Sequence, residues 1–236
     1  MVKMTLIDYV FINERKIPII RSPDNLFTLS IKDDNIHKIS EIKNLDNFQH
    51  LNKLLLFSNN IKKIECLDHL VNLQELWFEG NQIEVISGLN NLKSMKDLRI
   101  NRNNLTKIKG LNNLRKLKVL FLQNNQITEI SGLDNLPNLI SLNLENNNIT
   151  EIKGLDSLQN LKRLNLSGNN ITEIKNLDKL SSLEELYLDN NQIPVIKGLG
   201  HLKKLSVITL EKNPLHKQYV NSVYTSESYP LYLKFP

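Results

Sequence analysis

Residues 120–141 read LFLQNNQITEISGLDNLPNLIS, and residues 142–163 read LNLENNNITEIKGLDSLQNLKR. The two stretches align without a gap, with Leu, Ile, Asn and Gly at the same places. Working outward, the pattern L-x-L-x-x-N-x-I starts at Leu54, Leu76, Leu98, Leu120, Leu142, Leu164, Leu186 and Ile208, always 22 residues apart. One more copy starts at Leu29, 25 residues before Leu54, with Ile31, Asp34 in the Asn position and Ile36. A fixed period of this size is the mark of a repeat architecture, in which each unit buries its apolar stripe only by stacking on its neighbours.

The period also sets the conformation of each unit. L-x-L alternates with period two, which predicts a short strand with both Leu facing inward. After the Asn the apolar residues come at every third position, as in Ile83, Ile86, Leu89, Leu92, Met95 and Leu98. An α-helix would mix steps of three and four, so a strict step of three predicts 3₁₀ turns or an extended coil. Each unit is one narrow coil of strand, turn and tight return. Nine stacked coils give an α/β-class solenoid: a parallel sheet roughly 40 Å long, at ~4.8 Å per strand, with tight turns behind it.

The positions Asn59, Asn81, Asn103, Asn125, Asn147, Asn169, Asn191 and Asn213 share one slot. An amide side chain donates and accepts at once, so a buried ladder joining the backbones of adjacent coils is expected. Gly88, Gly110, Gly132, Gly154 and Gly198 share another slot, where Asn176, Cys66 and, counting from Leu29, Glu41 also fall. Gly with Asn as substitute predicts a left-handed backbone there.

Composition agrees. There is no Ala, while Asn occurs 34 times, which argues against a helical bundle and for many turns. Lys and Arg number 30 against 25 Asp and Glu, a net charge of +5. One Cys excludes a disulfide framework and a Cys-based zinc site. No apolar run approaches ~18 residues, so no membrane-spanning helix is expected. The first residues lack the features of a secretory leader, and with the single Cys this predicts a cytoplasmic location.

Three segments are expected. Residues 1–25 form an N-terminal cap, with Tyr9–Ile12 and Ile17–Ile20 as a possible β-hairpin around Asn13–Lys16. Residues 26–215 are the nine-coil solenoid, and residues 216–236 a C-terminal cap, with Tyr219, Val220, Val223 and Tyr224 at helical spacing and Tyr229 to Pro236 laid over the last coil.

No catalytic motif, phosphate loop or metal-ligand spacing emerges, so no enzyme, cofactor or metal is expected. Cys66 and His69 lie three apart but fall on the return path. The informative residues are those the repeat leaves free. Three outward positions per strand make a concave face of 27 positions. Its central column reads Ser30, Leu55, Trp77, Arg99, Phe121, Asn143, Asn165, Tyr187, Thr209. Leu55, Trp77 and Phe121 cluster there, with Phe57 and Val119 beside them, and aromatic and Arg residues dominate binding hot spots. The face carries seven acids (Glu75, Glu79, Asp97, Glu145, Glu185, Asp189, Glu211) and four bases (Lys32, Lys53, Arg99, Arg163), or −7 + 4 = −3. Direct nucleic-acid binding needs a basic track and is not expected. The candidate partner-binding residues are Leu55, Phe57, Trp77, Glu79, Arg99, Phe121, Glu145, Tyr187 and Asp189, on a monomer that takes a protein partner.

The unit resembles a leucine-rich repeat of the 22-residue class, as in the protein phosphatase 1 regulatory subunit of that repeat type. That resemblance implies a curved solenoid acting as an interaction scaffold. Glu75-Leu76-Trp77 matches an E-x-W pattern of that family, which implies a phosphatase-type partner, and Asn213-Pro214-Leu215 resembles its lead-in to a capping helix. Thr209 stands where that family has an aromatic residue. The same repeat class occurs in internalin-type bacterial adhesins and in a spliceosomal protein, implying as alternatives a secreted adhesion protein or a ribonucleoprotein component.

Overall fold

A computed structural model describes residues 8–215. Nine parallel strands, β4 to β12, stack in chain order. They are β4 (Phe27–Ser30), β5 (Lys53–Leu55), β6 (Glu75–Trp77), β7 (Asp97–Arg99), β8 (Val119–Phe121), β9 (Ser141–Asn143), β10 (Arg163–Asn165), β11 (Glu185–Tyr187) and β12 (Val207–Thr209). From β5 on, register is in step with the 22-residue period: Leu54 faces Leu76, Leu76 faces Leu98, and so on to Leu186 and Ile208. The middle residue of each of these strands is buried and its two neighbours face out.

The three-residue step has a direct cause. In each return path the N–H of one inward residue donates to the carbonyl of the inward residue three before it, as in Leu92 to Leu89 and Met95 to Leu92, both at 3.1 Å. Consecutive turns of this kind bring every third side chain to the same side, toward the backs of the strands. The core is the column of Leu and Ile between sheet and turns, from Leu29 to Leu210.

The Asn slot is the expected ladder. Asn81 Oδ1 accepts from the Ile61 N–H at 3.0 Å, and its Nδ2 donates to Leu56 O (2.7 Å) on the coil before and Phe78 O (3.0 Å) on its own. The pattern recurs down to Asn213, which accepts from Ile193 N–H at 3.0 Å. Other Asn side chains fasten the exposed turns, as with Asn138 to Arg115 O and Asn160 to Pro137 O, each 2.8 Å. These two tiers of Asn links account for much of the Asn content. On the outer turns a Lys of one coil meets a Glu of the previous one: Lys153–Glu129 and Lys175–Glu151 at 3.0 Å, and Lys197–Glu173 at 2.6 Å. Hydrogen bonding to Lys175 holds the Glu151 carboxyl below its usual range.

The Gly slot is left-handed, with φ of 78° at Gly110. A Cβ on Gly110 would stand 2.4 Å from the Ile86 carbonyl oxygen of the preceding coil. Gly110→Ala is therefore expected to lower stability by about 1–3 kcal/mol in thermal or denaturant unfolding. An unchanged midpoint would mean the coil can re-seat. Cys66 and Asn176 hold the same conformation, at φ 58° each. In the first coil the occupant is Asn44 (φ 70°), not Glu41. That coil spends its three extra residues on a 3₁₀ turn, Ile39–Glu41, before the slot, so counting forward from Leu29 lands one turn early.

The N-terminal segment holds a hairpin, β1 (Tyr9–Ile12) with β2 (Arg15–Pro18), and a short strand β3 (Ile20–Arg21) antiparallel to β4. The second hairpin strand begins at Arg15 rather than Ile17. Asn13 and Glu14 both take positive φ, 46° and 66°, and a two-residue loop of that type fixes the register directly behind it. Val10 and Ile12 are buried, and Phe11 exchanges two backbone bonds with Lys43, so the hairpin seals the first coil. The expected C-terminal cap, residues 216–236, lies outside the described residues, as do residues 1–7.

Candidate functional site

Parallel pairing in register lines up every 22nd residue, so the free positions form three columns across the concave face. In the central column Leu55, Trp77, Arg99 and Phe121 are consecutive and half-buried. The Arg99 guanidinium lies 4.0 Å from the Trp77 ring centre and 5.0 Å from that of Phe121. It is a cation held between two aromatic faces, within the range where such contacts are attractive. Asp97 on the same strand fixes it from the side, accepting from Arg99 Nη2 at 2.8 Å and Nε at 3.0 Å. That bonding raises the Arg99 pKa above its ordinary value against the opposing effect of burial. The sequence places Arg99 in the column only as one base among four, whereas the structure makes it the middle of a stack.

Phe57 and Val119 flank the stack on opposite edges, with Lys32 Nζ 5.9 Å from the Phe57 ring centre. The stack also holds an unmet polar demand. The indole Nε1 of Trp77 and the Oε1 of Gln123 are buried and find no hydrogen-bond partner. Groups left so cost about 1–3 kcal/mol each. Gln123 escapes a reading of the sequence, because nothing in the repeat marks it apart from its neighbours.

The second half of the face is polar. Tyr187 donates to Glu185 Oε2 (2.9 Å), whose other oxygen takes Arg163 Nε at 2.8 Å. Burial, then the bond to Glu185, raises the Tyr187 pKa. Asp189 accepts from Glu211 N–H at 2.7 Å and from the hydroxyls of Ser167 and Thr209. Asn165 Nδ2 reaches Glu145 at 3.1 Å. Glu145, Ser167, Tyr187, Asp189 and Glu211 line an open depression of about 370 Å³, with Lys212 at its rim. Of the predicted contact residues, the structure gathers Leu55, Trp77, Arg99 and Phe121 at one end, Glu145, Tyr187 and Asp189 at the other, and sets Phe57 and Glu79 on the edge column beside the stack. Cys66 is exposed, and His69 contacts Leu45 O at 3.3 Å and Asp46 at 3.9 Å.

The family model for leucine-rich repeats (two copies) matches residues 71–113, 115–157, 137–179 and 159–195. Among solved structures, internalin C2 of Listeria monocytogenes is 33% identical over 78% of this chain and 80% of that one, with a TM-score of 0.71. The leucine-rich repeat protein LIC12759 of Leptospira interrogans is 27% identical over 79% of this chain and 55% of that one, at 0.64. The receptor chain in a TLR13–ssRNA13 complex is 25% identical over 80% of this chain but only 28% of its own length, at 0.72. No curated protein matches significantly. Repeat period, strand register, Asn ladder and relatives agree, and the chain belongs to the leucine-rich repeat family.

Proposed function

We propose that this chain is a non-enzymatic scaffold that holds a protein partner against its concave face. The observation that carries this is the Trp77–Arg99–Phe121 stack. It sits on the side of the sheet away from the core, where packing asks for no large group, and it presents the residue types that anchor interfaces. Trp77→Ala is expected to cost about 1 kcal/mol of stability or less, as surface changes do. The same change is expected to weaken capture of the native partner by ~2 kcal/mol or more. Phe121→Ala should act alike, and Lys203→Ala on an outer turn should do neither. Unchanged capture by Trp77→Ala would move the working surface off the concave face.

Neighbouring folds favour one second reading. The internalin C2 likeness, at 33% identity along most of both chains, supports an exported adhesin of that type over the cytoplasmic location that the lone Cys66 favours. Fractionation of the source cells separates the two. The TLR13 structure contains single-stranded RNA, but the present concave face sums to −3, and phosphates would be repelled from it. A phosphatase-type partner draws no support from the relatives named above, and Glu75 of the E-x-W pattern is paired with Lys53 at 3.0 Å.

A further inference from the structure

The carboxylates of the concave face are sorted by column. Those of the first column are matched within the protein: Glu75 with Lys53 (3.0 Å), Asp97 with Arg99 (2.8 Å) and Glu185 with Arg163 (2.8 Å). Those of the third column are not. Among the described residues Glu145, Asp189 and Glu211 have no cation within 4 Å, and Glu79 has only Arg102 at 3.9 Å, itself largely exposed. Asp189 is satisfied by hydroxyls and a backbone N–H, which leave its charge in place. Of the eleven charges on the face, the pairs cancel six. What remains is four carboxylates in one column against Lys32 at the far end, on a chain whose total is +5.

We propose that the face selects a basic segment of its protein partner, with Lys or Arg side chains laid along the column from Glu79 to Glu211. This rests on the concave face being the docking surface. One further observation agrees. The two buried polar atoms without partners, Trp77 Nε1 and Gln123 Oε1, belong to this same face and are a donor and an acceptor. A peptide backbone offers the complement of both. Among the described residues Lys212 is the one cation lining the depression, and it would repel an incoming Lys or Arg at that end.

The test uses a fluorescent 15-residue Arg-Ser repeat peptide, a Glu-Ser peptide of the same length, and binding read by anisotropy. The Arg-Ser peptide is expected to bind, more weakly as NaCl rises from about 50 to about 300 mM. Glu79→Gln/Glu145→Gln/Glu211→Gln should weaken it about tenfold, while Lys203→Ala leaves it unchanged. Asp189 is kept in that variant so that its hydrogen bonds survive. If the triple variant does not fold, Glu145→Gln and Glu211→Gln singly should each cost about twofold. No binding of the Arg-Ser peptide, or equal binding by the folded triple variant, overturns the basic chemistry. So does binding of the Glu-Ser peptide that Trp77→Ala abolishes, though this leaves concave docking standing. Docking itself falls if the native partner is captured equally by Trp77→Ala.

Discussion

Leu142→Ala is expected to lower the stability of the whole solenoid by about 2–5 kcal/mol, the range for truncating a fully buried Leu. Leu142 is the middle residue of β9, 1% exposed, between Leu120 and Leu164 in register. A large-to-small change there opens a cavity walled by three coils at once. These coils cannot easily collapse into it, because strand pairing holds their spacing at ~4.8 Å. Calorimetry or urea unfolding should show the fall. An unchanged midpoint would mean that the inward and outward positions are exchanged.

Asn147→Leu should be nearly as damaging, at about 2–4 kcal/mol, although it adds apolar bulk to a site only 6% exposed. Asn147 Oδ1 is the acceptor for the Ile127 N–H at 3.0 Å, and its Nδ2 serves Leu122 O and Leu144 O. Those two carbonyls keep a second donor each, from Asn125 at 2.9 Å and Asn169 at 3.0 Å. The Ile127 N–H keeps none. Asn147→Asp separates shape from hydrogen bonding: it keeps the acceptor but brings in a charge and loses the donor. Denaturant curves that placed the Leu variant at parent stability would sink the account of the ladder.

Strand positions, the three-residue step and the ladder could be read from the sequence because each repeats eight times and each is forced by local sterics or backbone polarity. What could not be read is what happens once. The positive φ at Asn13 and Glu14 shifts the hairpin by two residues, and no period announces it. The extra turn at Ile39–Glu41 moves the left-handed position to Asn44. For the face, the columns were legible and the pairing within them only partly so. Residues 77, 99 and 121 are spaced by 22, so an aromatic, a cation and an aromatic had to be neighbours, and the stack was implicit in that spacing. Which carboxylates would be neutralised was not, because Lys53, Arg99 and Arg163 could each have reached several acids, and side-chain length and rotamer chose among them.

The Asn ladder has a direction. Each Asn accepts the isoleucine or leucine N–H of the coil before it, so every coil is completed by the one that follows: Ile61 by Asn81, Ile127 by Asn147, Ile193 by Asn213. Losing coils from the front would leave all the remaining N–H groups of this series served. Losing them from the back would strip one from each new last coil. A second series of backbone bonds runs the other way, from Gln74 N–H to Asn52 O and from Gln82 N–H to Ile61 O, so loss of a front coil strips those donors instead, and the two ends of a stack whose repeats look alike are opened through different bonds.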